Sequence, residues 1–289
     1  MLMRYPGGKA KIKRLIADRI SYFYELNGYD IEFASPFFGA GGMEFHLLGI
    51  TPIESIWIND FDPGIAAIWT AVMLYPKELG KKIKAFVPSV AKFELFKKEL
   101  LSGKHNEDVV DLAFKKIAIH QTSYSGLGTM SGSPLGGNSQ ASKYPIDCRW
   151  SPNHLCKMIR KAHEALSQTD ARGDKCSHVD FGQLIRKSGR RFLYLDPPYY
   201  KKGPELYQHS FRRRDHTRLA KALQKTENQW LLSYDDHEVI RDLYDWAHIL
   251  EIPISYTINT SRKKVELLIS SDPSLLEEPN QEIDLFEEG

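Results

Sequence analysis

The chain has 289 residues, 42% hydrophobic and 26% charged, which suits one large domain or a domain carrying a sizeable insertion. No run approaches the roughly 18 apolar residues of a membrane span. Met1 to Pro6 lacks the charged and apolar regions of a secretion signal, so a cytoplasmic protein is expected. Cys148, Cys156 and Cys176 have no C-x-x-C spacing, which points to reduced thiols rather than a disulfide framework. His154 beside Cys156 completes no ligand set, so no metal is expected.

The net charge of +2 is unevenly spread: eight acids and no Lys or Arg follow Lys264, leaving 39 basic against 29 acidic groups before it. Between Lys157 and Lys225 there are 17 Lys/Arg and 7 Asp/Glu. A charge run is usually a solvated face, but this one flanks the candidate site described below and so points to a polyanion.

In chain order, Arg4-Tyr5-Pro6-Gly7-Gly8-Lys9 comes first. It reads either as a helix entry with Lys9 in solvent, or as a turn whose Tyr5 and Lys9 close over a bound cofactor. In the second case Lys9 faces a carboxylate or the backbone beside it. Lys11 to Leu26 has helical spacing, with Ile12, Leu15, Ile16, Ile20 and Phe23 on one face. A strand over Ile31–Ala34 runs into Ser35-Pro36-Phe37-Phe38-Gly39-Ala40-Gly41-Gly42, and helix resumes over Met43–Leu48. Glycines between a strand and a helix let a ligand approach the backbone closely. A second strand, Ile53–Ile58, ends at Asn59-Asp60, the distance at which an acid grips ribose hydroxyls in such folds. A nicotinamide fingerprint needs glycine where Glu44 stands. The pattern therefore suits a nucleoside-containing cofactor without a diphosphate cradle.

Helix follows over Ile65–Met73, and then strand–helix alternation is lost from Lys84 to Lys175. That stretch reads as helices over Lys92–Leu101, Val109–His120 and Pro152–Leu166 around a Gly/Ser-rich segment, Ser123–Ser142. Alternation returns with Phe192–Leu195, Thr217–Lys225, Trp230–Ser233, Val239–Trp246 and paired strands Ile254–Thr260 and Val265–Ser270. The expected fold is α/β, a sheet built from two sequence halves around an insertion of roughly ninety residues.

The strand Arg191-Phe192-Leu193-Tyr194-Leu195 empties into Asp196-Pro197-Pro198-Tyr199. Ligands sit at the carboxyl ends of strands in open α/β sheets. Two prolines remove two backbone donors and leave nearby carbonyls free to accept. Acid, carbonyl and ring face then suit a flat heterocycle bearing an amino group, whereas a lone Pro-Pro-Tyr would be a turn.

Together and in this order, Tyr5–Lys9, Pro36–Gly41, Asn59-Asp60 and Asp196–Tyr199 resemble the Dam-like family of adenine-specific (N6) DNA methyltransferases. Gln121–Gly126, Leu206-Tyr207-Gln208-His209, Asp215-His216 and Leu232-Ser233-Tyr234-Asp235 add to the resemblance. Ser35 departs from the family, which often has an acid there. The resemblance implies a Rossmann-like S-adenosylmethionine-dependent methyltransferase sheet with an inserted, mainly helical target-recognition domain. Residues 1–83 and 176–271 would form the catalytic domain, 84–175 the insertion, and 272–289 an acidic flexible tail. It further implies S-adenosyl-L-methionine as cofactor, S-adenosyl-L-homocysteine as product, and double-stranded DNA as partner, bound by a monomer or by a dimer on DNA. The implied cofactor residues are Tyr5, Gly7, Gly8, Lys9, Phe38, Gly39, Ala40, Gly41, Asp60, Phe61, Asp180, Phe181 and Asp196, and the implied catalytic residues are Asp196, Pro197, Pro198 and Tyr199.

The residues support direct transfer. Asp196 and the Pro197 carbonyl can accept the two amino hydrogens of adenine, drawing its nitrogen toward a tetrahedral geometry, with orientation and electrostatics supplying the acceleration. No cysteine follows a proline as cytosine C5 methylation would require. The adenine must leave the duplex to be reached, and Tyr199 offers a stacking face. Ser123–Ser142 reads either as a surface loop or as a DNA-reading hairpin that orders on binding, with Tyr124, Ser125, Asn138, Gln140 and Lys143 as contacts. Arg212, Arg213 and Arg214 suit phosphates. Two alternatives stay open: an RNA or protein-amide methyltransferase using the same pocket, which Asp rather than Asn at position 196 disfavours, and a catalytically silent DNA-binding protein.

Overall fold

Residues 2–3, 9, 12–103, 108–169, 176–186, 190–201, 203–206, 209–254 and 264–278 are described by the computed structural model. Tyr5, Gly7, Gly8, Tyr207, Gln208, residues 255–260 and most of the acidic tail lie outside them. Helix α1 (Lys13–Asn27) turns Ile16, Ala17, Ile20, Phe23 and Tyr24 inward, as its spacing predicts. Strand β1 (Glu32–Ser35) is followed by a short α2 (Glu44–Leu48), β2 (Ile56–Asn59) and α3 (Pro63–Leu74). Asp62 caps α3 by accepting from the Gly64 and Ile65 amides at 2.8 and 3.3 Å, and Pro63 starts the helix without an amide to satisfy. Next come α4 (Pro76–Ala85), α5 (Val90–Leu101), α6 (Val109–Thr122) and α7 (Pro152–Ser167).

The second half contains β3 (Cys176–Ser177), α8 (Phe181–Arg186), β4 (Arg191–Leu195), α9 (Gly203–Leu206), α10 (Arg213–Lys225), β5 (Gln229–Asp235), α11 (Glu238–Leu243), β6 (His248–Ile254) and β7 (Lys264–Ser270). The sheet order is β3-β2-β1-β4-β5-β7-β6. Strands β1 to β5 pair in parallel, and β7 runs antiparallel to both its neighbours. This is a Rossmann-like sheet. Its chain reverses direction of travel between β1 and β4, which pair with Phe33 opposite Phe192. Ligands bind at that switch point, outside the carboxyl ends of the strands.

Alternate residues of the strands serve two cores. Phe33, Phe192 and Tyr194 join one with α1, α3 and α4 to α7, while Leu193, Leu195 and Trp230 join the other with α8 and α10. Both faces are covered, which explains the near-continuous apolar runs of β4 and β5. Helices α3 and α6 are buried along most of their length because they pack on each other and on the sheet.

Two expectations change, and one helix was not anticipated. Helix α4 carries only Leu79 and Ile83 as large buried residues among four lysines, a face too narrow to stand out in the sequence. The second strand starts at Ile56 because residues 51–53 form a tight turn, with the Ile53 amide on the Thr51 carbonyl at 2.9 Å. The paired strand begins at His248 and not Ile254. Pro253 argues against a strand there, but β6 is an edge strand, where a proline is tolerated.

Candidate active site

The turn after β1 is shaped from below by one side chain. Asn59, buried at the end of β2, donates to the Pro36 and Val179 carbonyls at 3.0 and 3.1 Å and accepts from Ser177 Oγ and the Val179 amide at 2.7 and 2.9 Å. It thereby ties together the ends of β1, β2 and β3. Gly39 and Gly41 have φ of 51° and 66°, a region glycine enters without strain. A Cβ on Gly41 would also lie 2.6 Å from the Phe38 ring. Trp69 Nε1 donates to the Gly39 carbonyl at 2.8 Å, fixing the turn against α3.

Asp60 accepts from the Gly39 and Asp62 amides, each at 2.9 Å, one on each carboxylate oxygen. Burial and the neighbouring Asp62 push its carboxyl up to about 7, against the pull of those amides. Asp62 goes the other way: burial would raise it, but Lys116 Nζ at 2.5 Å outweighs burial and holds it below the usual range. Lys116 belongs to α6, one of the helices between α3 and β3, which thus reaches the rim of this turn.

Glu44 answers the departure at Ser35. The Ser35 hydroxyl donates to Glu44 Oε1 at 2.8 Å, so a carboxyl arrives from α2 although β1 ends in serine. Burial pushes Glu44 up to about 8, with Asp196 adding to the rise. The sequence reading used Glu44 only to reject a nicotinamide fingerprint.

At the end of β4, Lys9 Nζ lies 2.8 Å from Asp196 Oδ1, 2.6 Å from Glu266 Oε1 and 2.6 Å from the Tyr199 hydroxyl. Burial alone would favour the neutral amine, but Asp196, Tyr199 and Glu266 hold the ammonium well above its ordinary range. Burial raises both carboxyls and Lys9 opposes that rise. Ser233 Oγ also donates to Asp196 Oδ1, at 3.4 Å; among the described residues nothing bonds Oδ2. Asp235 of β5 accepts from the Tyr200 and Lys201 amides at 3.0 and 3.3 Å, which fixes the turn after the prolines. Glu266 is the member that sequence reasoning missed, since it stands 257 residues from Lys9.

These groups converge on a cleft of about 470 Å³ walled by Lys9, Phe38 to Glu44, Asp60, Phe61 and Asp196, a size suited to a small-molecule cofactor. Asp180 and Phe181 complete its far wall. Asp180 accepts twice from Arg218 at 2.9 Å, and Phe181 packs 5.7 Å from Phe37 and 5.4 Å from Phe211. Phe61 is 54% exposed at the rim, edge-on to His209. Pro198 touches the cleft, whereas Pro197 and Tyr199 do not line it; the Tyr199 ring centre lies 4.4 Å from Lys9 Nζ. Among the described residues no cluster of His, Cys, Asp or Glu could hold a metal ion, and burial pushes the Cys176 thiol up to about 12.

The segment after α6 is neither a free loop nor a regular hairpin. It has one antiparallel bridge, Ser123 to Pro134. The Leu135 amide donates to the Thr122 carbonyl at 2.7 Å, and His120 Nδ1 lies 3.1 Å from the Gly126 carbonyl. Buried Ser123, Thr129 and Leu135 pin it, while Tyr124, Ser125, Asn138 and Lys143 are exposed. Arg212 and Arg214 line the cleft mouth at the start of α10, and Arg213 is exposed beside them without lining it.

A family model described as D12 class N6 adenine-specific DNA methyltransferase matches residues 5–258, from the segment before α1 to just beyond β6. No curated protein matches the chain.

Proposed function

Because the chain belongs to the D12 class of N6 adenine-specific DNA methyltransferases, we propose that it moves a methyl group from S-adenosylmethionine to the N6 amino group of an adenine turned out of double-stranded DNA. The observation that carries this is the meeting of two strand ends in one cleft: the glycine turn with Asp60, and Asp196 with its prolines. The cradle suits the cofactor. Gly39 and Gly41 would let a nucleoside approach the backbone, Asp60 would hold its ribose, and Glu44 would suit an ammonium group. When bound, the cofactor supplies an electrophilic methyl group on a sulfonium.

The chain does the rest by orientation. Asp196 Oδ2 and the Pro197 carbonyl accept the two amino hydrogens, so the nitrogen lone pair points into the cleft. The new carbon–nitrogen bond would form as the sulfonium–methyl bond breaks, its electron pair leaving with the thioether sulfur of S-adenosylhomocysteine, and Asp196 would take up one amino proton. Such placement is where most of the acceleration arises. Tyr199, held beside Asp196 by Lys9 and Glu266, would offer its ring to the extruded base, worth ~1–3 kcal/mol by analogy with other base–aromatic stacks. Residues 84–175 carry target recognition in this scheme, through Tyr124, Ser125, Asn138 and Lys143, while Arg212, Arg213 and Arg214 meet phosphates.

The test is direct. Purified protein, S-adenosylmethionine with a labelled methyl group and duplex DNA should yield labelled N6-methyladenine in digested DNA. Mass spectrometry that finds none across varied sequence contexts overturns the proposal.

A further inference from the structure

Lys9 carries three N–H bonds, and the structure gives it three acceptors: Asp196, Glu266 and Tyr199. The Tyr199 hydroxyl accepts from Lys9, and its own hydrogen is directed at Glu266, whose two oxygens lie at 3.0 and 3.1 Å. Glu266 is buried on β7, two strands away from β4. A buried carboxylate is costly unless paired and hydrogen-bonded. Here one ammonium serves two of them, and Glu266 takes no part in the cleft wall.

We propose that Glu266 is a positioning residue for the transfer. It draws Lys9 to one oxygen of Asp196, leaves the other oxygen open to the adenine amino group, and fixes the Tyr199 ring by its hydroxyl. This rests on the methyl-transfer function proposed above. Without the Glu266 charge, one ammonium faces one carboxylate, and Lys9 can turn across both Asp196 oxygens and compete with the base. The Tyr199 hydroxyl also loses its charged acceptor.

The groups facing Asp196 are Lys9 from the N-terminal segment, Glu44 from α2, Tyr194 on its own strand, Tyr199 after it, Tyr234 from β5 and Glu266 from β7. Glu266→Gln keeps the shape and an acceptor but removes one negative charge, so ionised Asp196 becomes easier to form.

Two measurements test this. Carbon-13 NMR titration of the Asp196 carboxyl in the ligand-free protein should show its midpoint falling by on the order of one pH unit in E266Q. An unchanged midpoint overturns the proposal, whether or not the protein methylates DNA. In single-turnover assays E266Q should lose roughly tenfold in rate. The acid limb of its pH profile should move down, with S-adenosylhomocysteine affinity unchanged. A wild-type rate and profile in E266Q also overturn it. Absence of methylation in the wild type would instead sink the function, leaving the titration as the judge of Glu266. Combined with Tyr199→Phe, the loss should be less than the product of the two single losses, because both act through one contact; full multiplicativity counts against the shared role.

Discussion

The two ends of one cleft give their buried acids different partners. At the β4 end, Asp196 and Glu266 share the Lys9 ammonium. At the β1–β2 end, Asp60 and Glu44 are bonded by amide and hydroxyl donors, and burial pushes them to about 7 and 8. Desolvation is common to both ends, and direct contact with a cation separates their acids: Lys9 touches Asp196 and Glu266, whereas Lys116 touches Asp62 and leaves Asp60 to its two amides. In the proposed reaction Asp196 would polarise an amino group at neutral pH, and the Lys9 ammonium favours the ionised form that does so. Carboxyls that meet hydroxyls, or an incoming ammonium, can wait partly protonated.

The sharpest way to break this contrast is at Asp196. Asp196→Ala should cut single-turnover methylation by ~10²–10³-fold, the usual scale for an oriented electrostatic contact, while S-adenosylhomocysteine still binds in calorimetry. Turnover near wild type would show that the amino group is activated elsewhere. At the opposite end, Asp60→Asn leaves one acceptor where two amides need one each. Cofactor affinity should fall roughly 10- to 100-fold, the scale of a charged hydrogen bond, with little change in the chemical step at saturation. An equal loss in both would erase the distinction between the ends.

A smaller effect reads the neutral acid directly. Glu44 titrates near 8 in the folded chain and near 4.5 unfolded, so the folded state holds a proton that the unfolded state has released. Raising pH through that interval therefore costs the folded state stability. Glu44→Gln removes the cost, and its advantage over wild type should grow between pH 5 and 8 by up to about 1.4 kcal/mol per pH unit. Urea denaturation at several pH values checks this; a constant difference would mean that Glu44 is already charged. The smallest change is expected at Arg213. Arg213→Ala should lower DNA affinity alike on all sequences and reduce the salt slope by about 0.9, and altered sequence preference would make Arg213 a reader of bases.

Much of the site was legible where chemistry is local. An apolar run ending in Asp196-Pro197-Pro198 and a glycine turn ending near Asp60 each fit within one strand and its loop, and both lie where their patterns predict. For Lys9 the sequence left two readings, a helix entry in solvent or a contact with a carboxylate or the backbone beside it, and the buried pairing with Asp196 answers to the second. Glu266 was not. Within Val265-Glu266-Leu267 it resembles any polar residue of a half-buried strand, and only the sheet order brings β7 to Lys9. Glu44 was visible as a residue but not as a partner of Ser35, since nine residues of turn and helix must fold before the two meet. The edge strand β6 was misjudged for a different reason: its burial alternates poorly and Pro253 interrupts it.

The adjacency of β1 and β4 also bears on how the protein is made. Glu32 and Arg191 form an ion pair across 159 residues of intervening chain. At roughly 5–20 residues per second, a ribosome leaves β1 without that neighbour for about 8 to 30 s. During that time an unpaired strand edge is offered to any other nascent chain, a known route to aggregation. Yield on overexpression should therefore improve with slower synthesis or added chaperones. A chain cut before Arg191 can neither assemble the cleft nor cover that edge.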